Sequence, residues 1–563
     1  MIKRFLVVCL FFLLVISSIG SLSFGNNLNI TNDKMIIKNH GAIDYNGSVF
    51  STVDQPSLNI HDNEPTINKN SNSNNIFSNS FVEGPWPMYC HDTRHTSQSP
   101  YSTADNLGVE KWRFDTIMQC FGSPIINNQN VIYIGGLAGI FAINANGTLK
   151  WTNKPNEVIV SAPAIDDNGI LYFGGIWGEN FHAVYSENGT EKWRHPIGWT
   201  YASPSIGFDG IIYAPDTDNW NVIAFYPNGT VKWSFHANER VFSSPAIADD
   251  GTIYCTSYGA YLYALYPENG TIKWQYHTGG SVRTSACIAD DGTVYVVSVN
   301  GVLHALYPNG TLKWQASIDG GTSPTIAQDG TIYCGYHQLY AINPDGSQKW
   351  IFNLGEGRSI REGTPCNSAE GIIYFSTYGN EVIAVNPNGT EHWRVILTPY
   401  CWSISAPAIG SDGTVYVGST NDGTLPYSYG YLHAIGTLDQ NAPSAPVISG
   451  PKKCIYALKY TYSFKSTSPV GNDVYYNIDW GDLYPDYLVG PYKSGEQVNI
   501  SNKRWNAFGK FTIRAKAIDS QNLCSDWSDY KVSTPRNKAD SNYLFLKLLE
   551  RFPMLERLLN FIS

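Results

Sequence analysis

The chain has 563 residues, enough for more than one domain, and is aromatic-rich (14%), charge-poor (15%) and net acidic, with a formal charge of −10. An acidic balance with no basic run argues against a nucleic-acid partner or an anionic membrane surface. The 37 Tyr, 16 Trp and 51 Gly suit short strands joined by tight turns, because aromatics pack on pleated surfaces and Gly supplies positive φ.

In chain order, Lys3 and Arg4 precede an apolar run from Phe5 to Ile19 and small residues up to Gly25, which reads as a signal peptide over 1–25. The run is short for a membrane span and is followed by a polar flank. Residues 26–82 are rich in Asn, Ser, Asp and Ile without a sustained period and read as a disordered polar spacer.

From there the chain repeats. Lys-Trp or a close variant recurs at Trp112, Trp151, Trp193, Trp233, Trp274, Trp314, Trp350 and Trp393, at steps of 39, 42, 40, 41, 40, 36 and 43 residues. Each unit holds strand-length apolar runs closed by Asp-Gly or Asn-Gly, dipeptides that favour tight hairpin turns. A period near forty with four strands (A to D) per unit predicts propeller blades over 83–437. The B-strand tyrosines, Tyr133 through Tyr416, mark eight A–B–C sets, whereas the eight tryptophans are offset by one strand. That offset predicts closure of an eight-bladed ring by an outer strand near Val109–Asp115, which removes the open edge.

The segment ALYPENGTIKW (264–274) resembles the tryptophan-docking motif of quinoprotein (PQQ-like) propellers, and WPMYCHDTRHTSQSP, from Trp86, is similar to the lead-in of archaeal and bacterial members. The resemblance implies that the eight tryptophans are structural, packed between blades. One branch of that family holds pyrroloquinoline quinone and calcium with an acidic base, and in many members a vicinal disulfide. No Cys-Cys pair is present here, and the Asp pairs of the chain fall in hairpin turns. The other branch, which includes the lipoprotein propeller of outer-membrane assembly, binds partners without chemistry. The expectation is a secreted or cell-surface scaffold for protein or glycan recognition, with no catalytic residue, cofactor or metal. A quinone-dependent dehydrogenase and a purely adhesive envelope component stay open as alternatives.

A ligand is expected on the face where the D–A and B–C loops emerge, which carries Trp177, Trp199, Trp220, Arg240, Arg283, Arg358, Arg361 and Trp402. Trp and Arg anchor recognition surfaces; packing of these loops over the channel mouth is the alternative. The spacing of Cys255 to Cys287 repeats in Cys334 to Cys366 and predicts two inter-blade disulfides, against four buried thiols; Cys454 and Cys524 are a candidate pair further on. Asn-Gly-Thr recurs at Asn146, Asn188, Asn228, Asn269, Asn309 and Asn388, each both a turn and a formal glycosylation sequon.

After Gly436 a Pro-rich linker marks a boundary. Residues 443–535 alternate apolar and polar and predict a small β-sandwich. YYNIDWGD, from Tyr475, and WNAFGKFTIRAKAID, from Trp505, resemble a polycystic-kidney-disease (PKD) domain, although Leu483 replaces the final Gly of that family's motif. Residues 536–563 place Leu544, Leu548, Leu549, Phe552 and Leu555 at helical spacing, with Pro553 as a break, and predict an amphipathic tail that docks on a partner or on sorting machinery.

Overall fold

The computed structural model describes residues 84–535, apart from 117–118, 156, 362, 398–400, 404, 422–429, 482–486 and 522. The expected signal peptide, the spacer and the helical tail lie outside the described residues. The described residues are all-β, and none of their helices is long and apolar enough to cross a membrane.

Seven four-stranded antiparallel sheets follow one another, each running A to D in chain order; that of blade 4 pairs Ala246–Ile247, Ile253–Ser257, Tyr261–Leu265 and Ile272–His277. Strands B and C are mostly apolar on both faces and almost wholly buried, because each sheet is covered on both sides by its neighbours. Strand D alternates exposed and half-buried positions and forms the outer edge. The Lys of the repeated dipeptide reaches back to the Asp of its own A–B turn: Lys273 to Asp250 at 3.0 Å, Lys313 to Asp291 at 3.1 Å, Lys349 to Asp329 at 2.8 Å. Such exposed pairs add little stability each.

The eighth sheet is made from both ends of the repeat. Val109–Asp115 pairs antiparallel with Gly430–Gly436, which pairs with Val415–Asn421. Closure by Val109–Asp115 is thus observed.

Each repeat tryptophan touches its own blade and the next. Its ring lies 5.5–5.8 Å from the B-strand tyrosine of its own sheet. In all but Trp393, its Nε1 donates to a carbonyl in the C–D turn of the following blade, as Trp193 does to Pro227 at 2.9 Å. That turn needs Gly229: its φ is +88°, and a Cβ there would stand 2.7 Å from the Trp193 ring. The same arrangement links Trp112 to Gly147 and, in order around the ring, Trp350 to Gly389 and Trp393 to Gly108. Burial of each aromatic contributes a few kcal/mol, about 1.5–3 kcal/mol for a full side chain.

Residues 447–534 form a three-stranded sheet (Val447–Ser449, Lys459–Lys465, Gln497–Arg504) facing a four-stranded one (Val474–Asp479, Tyr487–Tyr492, Gly509–Asp519, Ser528–Thr534). Tyr462, Phe464, Tyr476, Trp505 and Ile513 fill the space between them. The sandwich is fastened to the closing strand of the ring. Glu110 accepts from Trp527 Nε1 at 2.7 Å, lies 3.4 Å from Lys516 Nζ and accepts from His433 Nδ1 at 2.7 Å. The Arg113 guanidinium lies over the Trp527 ring, 4.6 Å from its centroid. Both Glu110 and Lys516 are buried, so each depends on the other.

The expected disulfides do not form. Cys255, Cys287, Cys334 and Cys366 are buried thiols. The reason is side-chain direction. Cys255 packs with Ile211, Tyr213 and Val222 of the blade before it, whereas Cys287 packs with Cys334 and Ile332 of the blade after its own. The spacing places the two on adjacent sheets but points them away from each other; Cys366, likewise, packs forward with Ala408 and Ile409 rather than back to Cys334. Cys454 and Cys524 are not joined either: Cys454 lies in the sandwich core, its Sγ 3.2 Å from the Tyr462 hydroxyl, and Cys524 packs in the cluster of the ring closure.

Candidate functional site

The centre of the ring is occupied by the chain itself. Residues 86–101 wind past the inner strands and accept or donate backbone hydrogen bonds in turn: Trp86 with Ile126, Pro87 with Ile165, Thr93 with Ile247, Arg94 with Ile288, Thr96 with Ile326 and Ser97 with Asn367. His95 reaches across between blades, Nε2 to Ser205 Oγ at 3.4 Å and Nδ1 to the Ala286 carbonyl at 3.2 Å. Burial pushes its pKa down to about 4, so it is neutral and fixed as a packing group.

One level along the axis, hydroxyls bridge the blades. The Ala162 N–H donates to Ser203, Ser203 N–H to Ser244, Ser244 N–H to Ser285 and Ser285 N–H to Ser323, all at 2.9–3.0 Å; Ala406 N–H donates to Ser123 in the same way. Each acceptor is the hydroxyl residue at the start of strand A, usually before a proline. Tyr89 of the lead-in inserts its hydroxyl between Ser323 (3.3 Å) and Thr364 (2.7 Å) and fills the interval there.

Beyond this level lie the D–A and B–C loops. Two residues before the bridging hydroxyl, blades 3 to 5 carry Tyr201, Phe242 and Arg283. They form one cluster with Tyr258. Phe242 meets Tyr201 at 5.9 Å and Tyr258 at 6.0 Å, and the Arg283 guanidinium lies 4.8 Å from the Tyr258 ring and 5.6 Å from Phe242. Arg283 Nη2 donates to the Tyr258 hydroxyl at 3.4 Å, while its Nε has no hydrogen-bond partner among the described residues. Arg240 supports the cluster through its carbonyl, which accepts from Tyr258 N–H at 2.8 Å. A guanidinium framed by ring faces keeps its charge and loses water, and a carboxylate that reaches it is held by charge-assisted hydrogen bonds.

The other expected site residues divide. Arg361 lies 4.0 Å over the Tyr378 ring, and its Nε likewise has no partner among the described residues. Arg358 is structural: its Nε and Nη2 clamp Glu381 at 2.7 and 3.0 Å, and Arg394 holds the same carboxylate at 2.9 Å. Trp220 stacks on His236 of its own blade at 6.0 Å, in a turn with φ of +62°. Trp177 is half-buried in the neighbouring B–C turn with φ of +73°, and the Trp199 carbonyl accepts from Asp218 N–H at 3.2 Å. The Trp402 side chain lies outside the described residues. The structure therefore brings Arg283 together with three aromatics that sequence reasoning passed over. Their signal was positional: each stands a fixed step from the Ser-Pro that opens strand A, or directly after strand B.

The carboxylate among the arginines of this face, Glu381, is bound to Arg358 and Arg394, and the described residues bring no three His, Cys, Asp or Glu side chains into metal-binding proximity.

Comparison with known proteins agrees with the ring. Residues 178–338 match the family model of the outer membrane protein assembly factor BamB. Among solved structures, the quinohemoprotein alcohol dehydrogenase of Comamonas testosteroni is similar at 14% identity and a TM-score of 0.54, over 66% of this chain and 83% of that one. BamB of Moraxella catarrhalis aligns at 14% identity and a TM-score of 0.48, over 58% of this chain and all of that one. The PKD domain of an M14-like peptidase from Thermoplasmatales archaeon SCGC AB-540-F20 aligns over its whole length with 18% of this chain, at 36% identity and a TM-score of 0.17. No curated protein matches. The chain carries a propeller of PQQ-like, BamB-like repeats.

Proposed function

We propose that the protein is an exported, non-catalytic binding scaffold of the cell surface or its surroundings, and that its propeller recognises an acidic segment of a protein partner. The observation that carries this reading is Arg283, framed by Tyr201, Phe242 and Tyr258 with its Nε unpaired. Aromatic anchors around a partly desolvated arginine are the composition of recognition hot spots. The matched family is described as an assembly factor, which favours a protein partner over a glycan. In this reading the sandwich is a PKD-like spacer, held rigidly to the ring by Glu110, Lys516 and Trp527.

The test is an array of acidic, amidated and neutral peptides probed with the full chain. Retention of acidic peptides by the parent, and its loss in Arg283→Ala with an unchanged melting temperature, supports the reading. Equal retention by Arg283→Ala overturns the site. A bound chromophore and dye reduction with an alcohol, after addition of pyrroloquinoline quinone and calcium, would establish a dehydrogenase instead.

A further inference from the structure

Two sets of hairpin turns in the ring share one hydrogen-bond pattern and differ in one residue. In the A–B turns, Asp250, Asp291, Asp329 and Asp412 each accept through Oδ1 from the N–H of the Thr two residues on, at 2.9–3.1 Å. A lysine of the outer strand takes the second carboxylate oxygen, which explains the choice of Asp. The C–D turns at Asn146, Asn188, Asn228, Asn269, Asn309 and Asn388 do the same with an amide. Their Oδ1 accepts the hydroxyl of the Thr two residues on at 2.7–2.8 Å, as well as its N–H.

This turn does not require asparagine. In blade 6 the equivalent position is Asp345, whose Oδ1 accepts from Ser347 N–H at 2.9 Å and from its hydroxyl at 2.6 Å. A carboxylate accepts such bonds more strongly than an amide. Turn chemistry therefore accounts for the Gly and the hydroxyl residue but not for Asn over Asp. All six asparagines are exposed, and their engaged Oδ1 leaves Nδ2 without a hydrogen-bond acceptor among the described residues. Four of these turns also open on an exposed tyrosine: Tyr185, Tyr226, Tyr266 and Tyr307 are 43–46% accessible. An aromatic face two or three residues from the acceptor amide suits the apolar face of a sugar.

We infer that Asn146, Asn188, Asn228, Asn269, Asn309 and Asn388 are attachment sites for N-linked glycans, forming a belt around the end of the ring opposite the Arg283 face. The transfer joins Asn Nδ2 to the anomeric carbon of a lipid-linked sugar. The bond from that carbon to the lipid phosphate breaks, the phosphate leaves with the electron pair, and the amide gives up one proton. A membrane oligosaccharyltransferase supplies the catalysis, so the inference rests on the export reading above. The belt explains why the exposed tyrosines sit in blades 2 to 5 beside sequons, and it directs partners to the loop face by covering the other one.

The experiment is expression of the full chain in an N-glycosylating secretory cell, followed by amino-terminal sequencing and peptide mass spectrometry of the exported protein. The expected result is a processed amino terminus with a glycan mass at these sequons. Asn228→Asp should remove its own glycan alone and leave the melting temperature within a degree or two, since Asp345 shows that the turn keeps its bonds. A processed terminus with all six asparagines unmodified overturns the glycan belt and leaves export standing. An unprocessed chain retained in the cell overturns both.

Discussion

Trp393 Nε1 donates a hydrogen bond to the carbonyl of Asn106 at 3.1 Å, across 287 positions of sequence. In every other blade the partner carbonyl belongs to a covalent C–D turn. Here Gly436 and Val109 are joined only by pairing, and Asn106, Leu107 and Gly108 take the place of the missing turn. Asn106 Nδ2 secures them by donating to the carbonyls of Gly413 and Ile435 at 2.9 and 3.0 Å.

Gly108 is therefore the sensitive point of the closure. Its φ is +71°, and a Cβ would stand 2.6 Å from the Trp393 ring. Gly108→Ala should cost about 3 kcal/mol, combining backbone strain with overpacking. Gly357 has φ of +72° with nothing near its Cβ position, so Gly357→Ala should cost only about 1 kcal/mol. Urea denaturation of both variants checks the difference; equal losses would show that the docking contact contributes nothing.

The Glu110 cluster makes stability depend on pH. Burial would raise the Glu110 pKa, but Lys516, the hydrogen bond from His433 and Arg113 hold it well below the usual carboxylate range. Burial pushes the His433 pKa below 6.5, against the pull of Glu110. The neutral ring donates from Nδ1 to Glu110 and accepts at Nε2 from Ser419 at 2.7 Å. Both groups have depressed folded pKa values, so their stabilisation is complete above the unfolded values and is lost on acidification. The melting temperature should fall as pH drops below about 6.5 through His433, and further below about 4.5 through Glu110. Glu110→Gln should cost about 3–5 kcal/mol at pH 7 by stranding buried Lys516. A melting temperature constant from pH 7 to 4 would contradict this account.

Cys255, Cys287, Cys334 and Cys366 should resist alkylation in the native protein and react fully in denaturant without prior reduction. Burial pushes the Cys255 thiol up to about 12 and the other three further, which suppresses the reactive thiolate. Mass spectrometry counts the labels; a requirement for reductant would restore the disulfides that the fold excludes.

Tyr89 should matter to the axis of the ring in two separable ways. Tyr89→Phe loses the bonds to Ser323 and Thr364 and should cost about 1–2 kcal/mol. Tyr89→Ala also removes the ring that fills the axis and should cost about 3–5 kcal/mol. Chemical denaturation of the two variants separates polar bridging from packing, and equal costs would show that the ring contributes none of the effect.

Sequence made the ring legible because its tryptophans, tyrosines and turn glycines recur at fixed offsets, and even the borrowed strand followed from a count. The disulfides were misread because spacing reports which sheet a cysteine occupies, not which face it points from: Cys255 faces backward and Cys287 forward. Arg283 drew attention by its type, but Tyr201 and Phe242 escaped because they share its repeat position, where three different residues read as noise to periodicity alone. Trp220 drew attention by its type yet stacks locally on His236.

The lead-in wound through the axis carries a consequence for how the molecule comes into being. Residues 86–101 are synthesised before every strand they bind, and Asn367, among the last of their partners, follows 270 residues after Ser97. Contacts of such long separation make a slow folding reaction, since loop closure must precede any gain. The lead-in reaches its full set of bonds only when blades 1 to 7 are all in place, since its partners are spread over their inner strands. These bonds and the Trp393–Asn106 contact join the same stretch of chain to both ends of the ring, so the lead-in and the closure support one another.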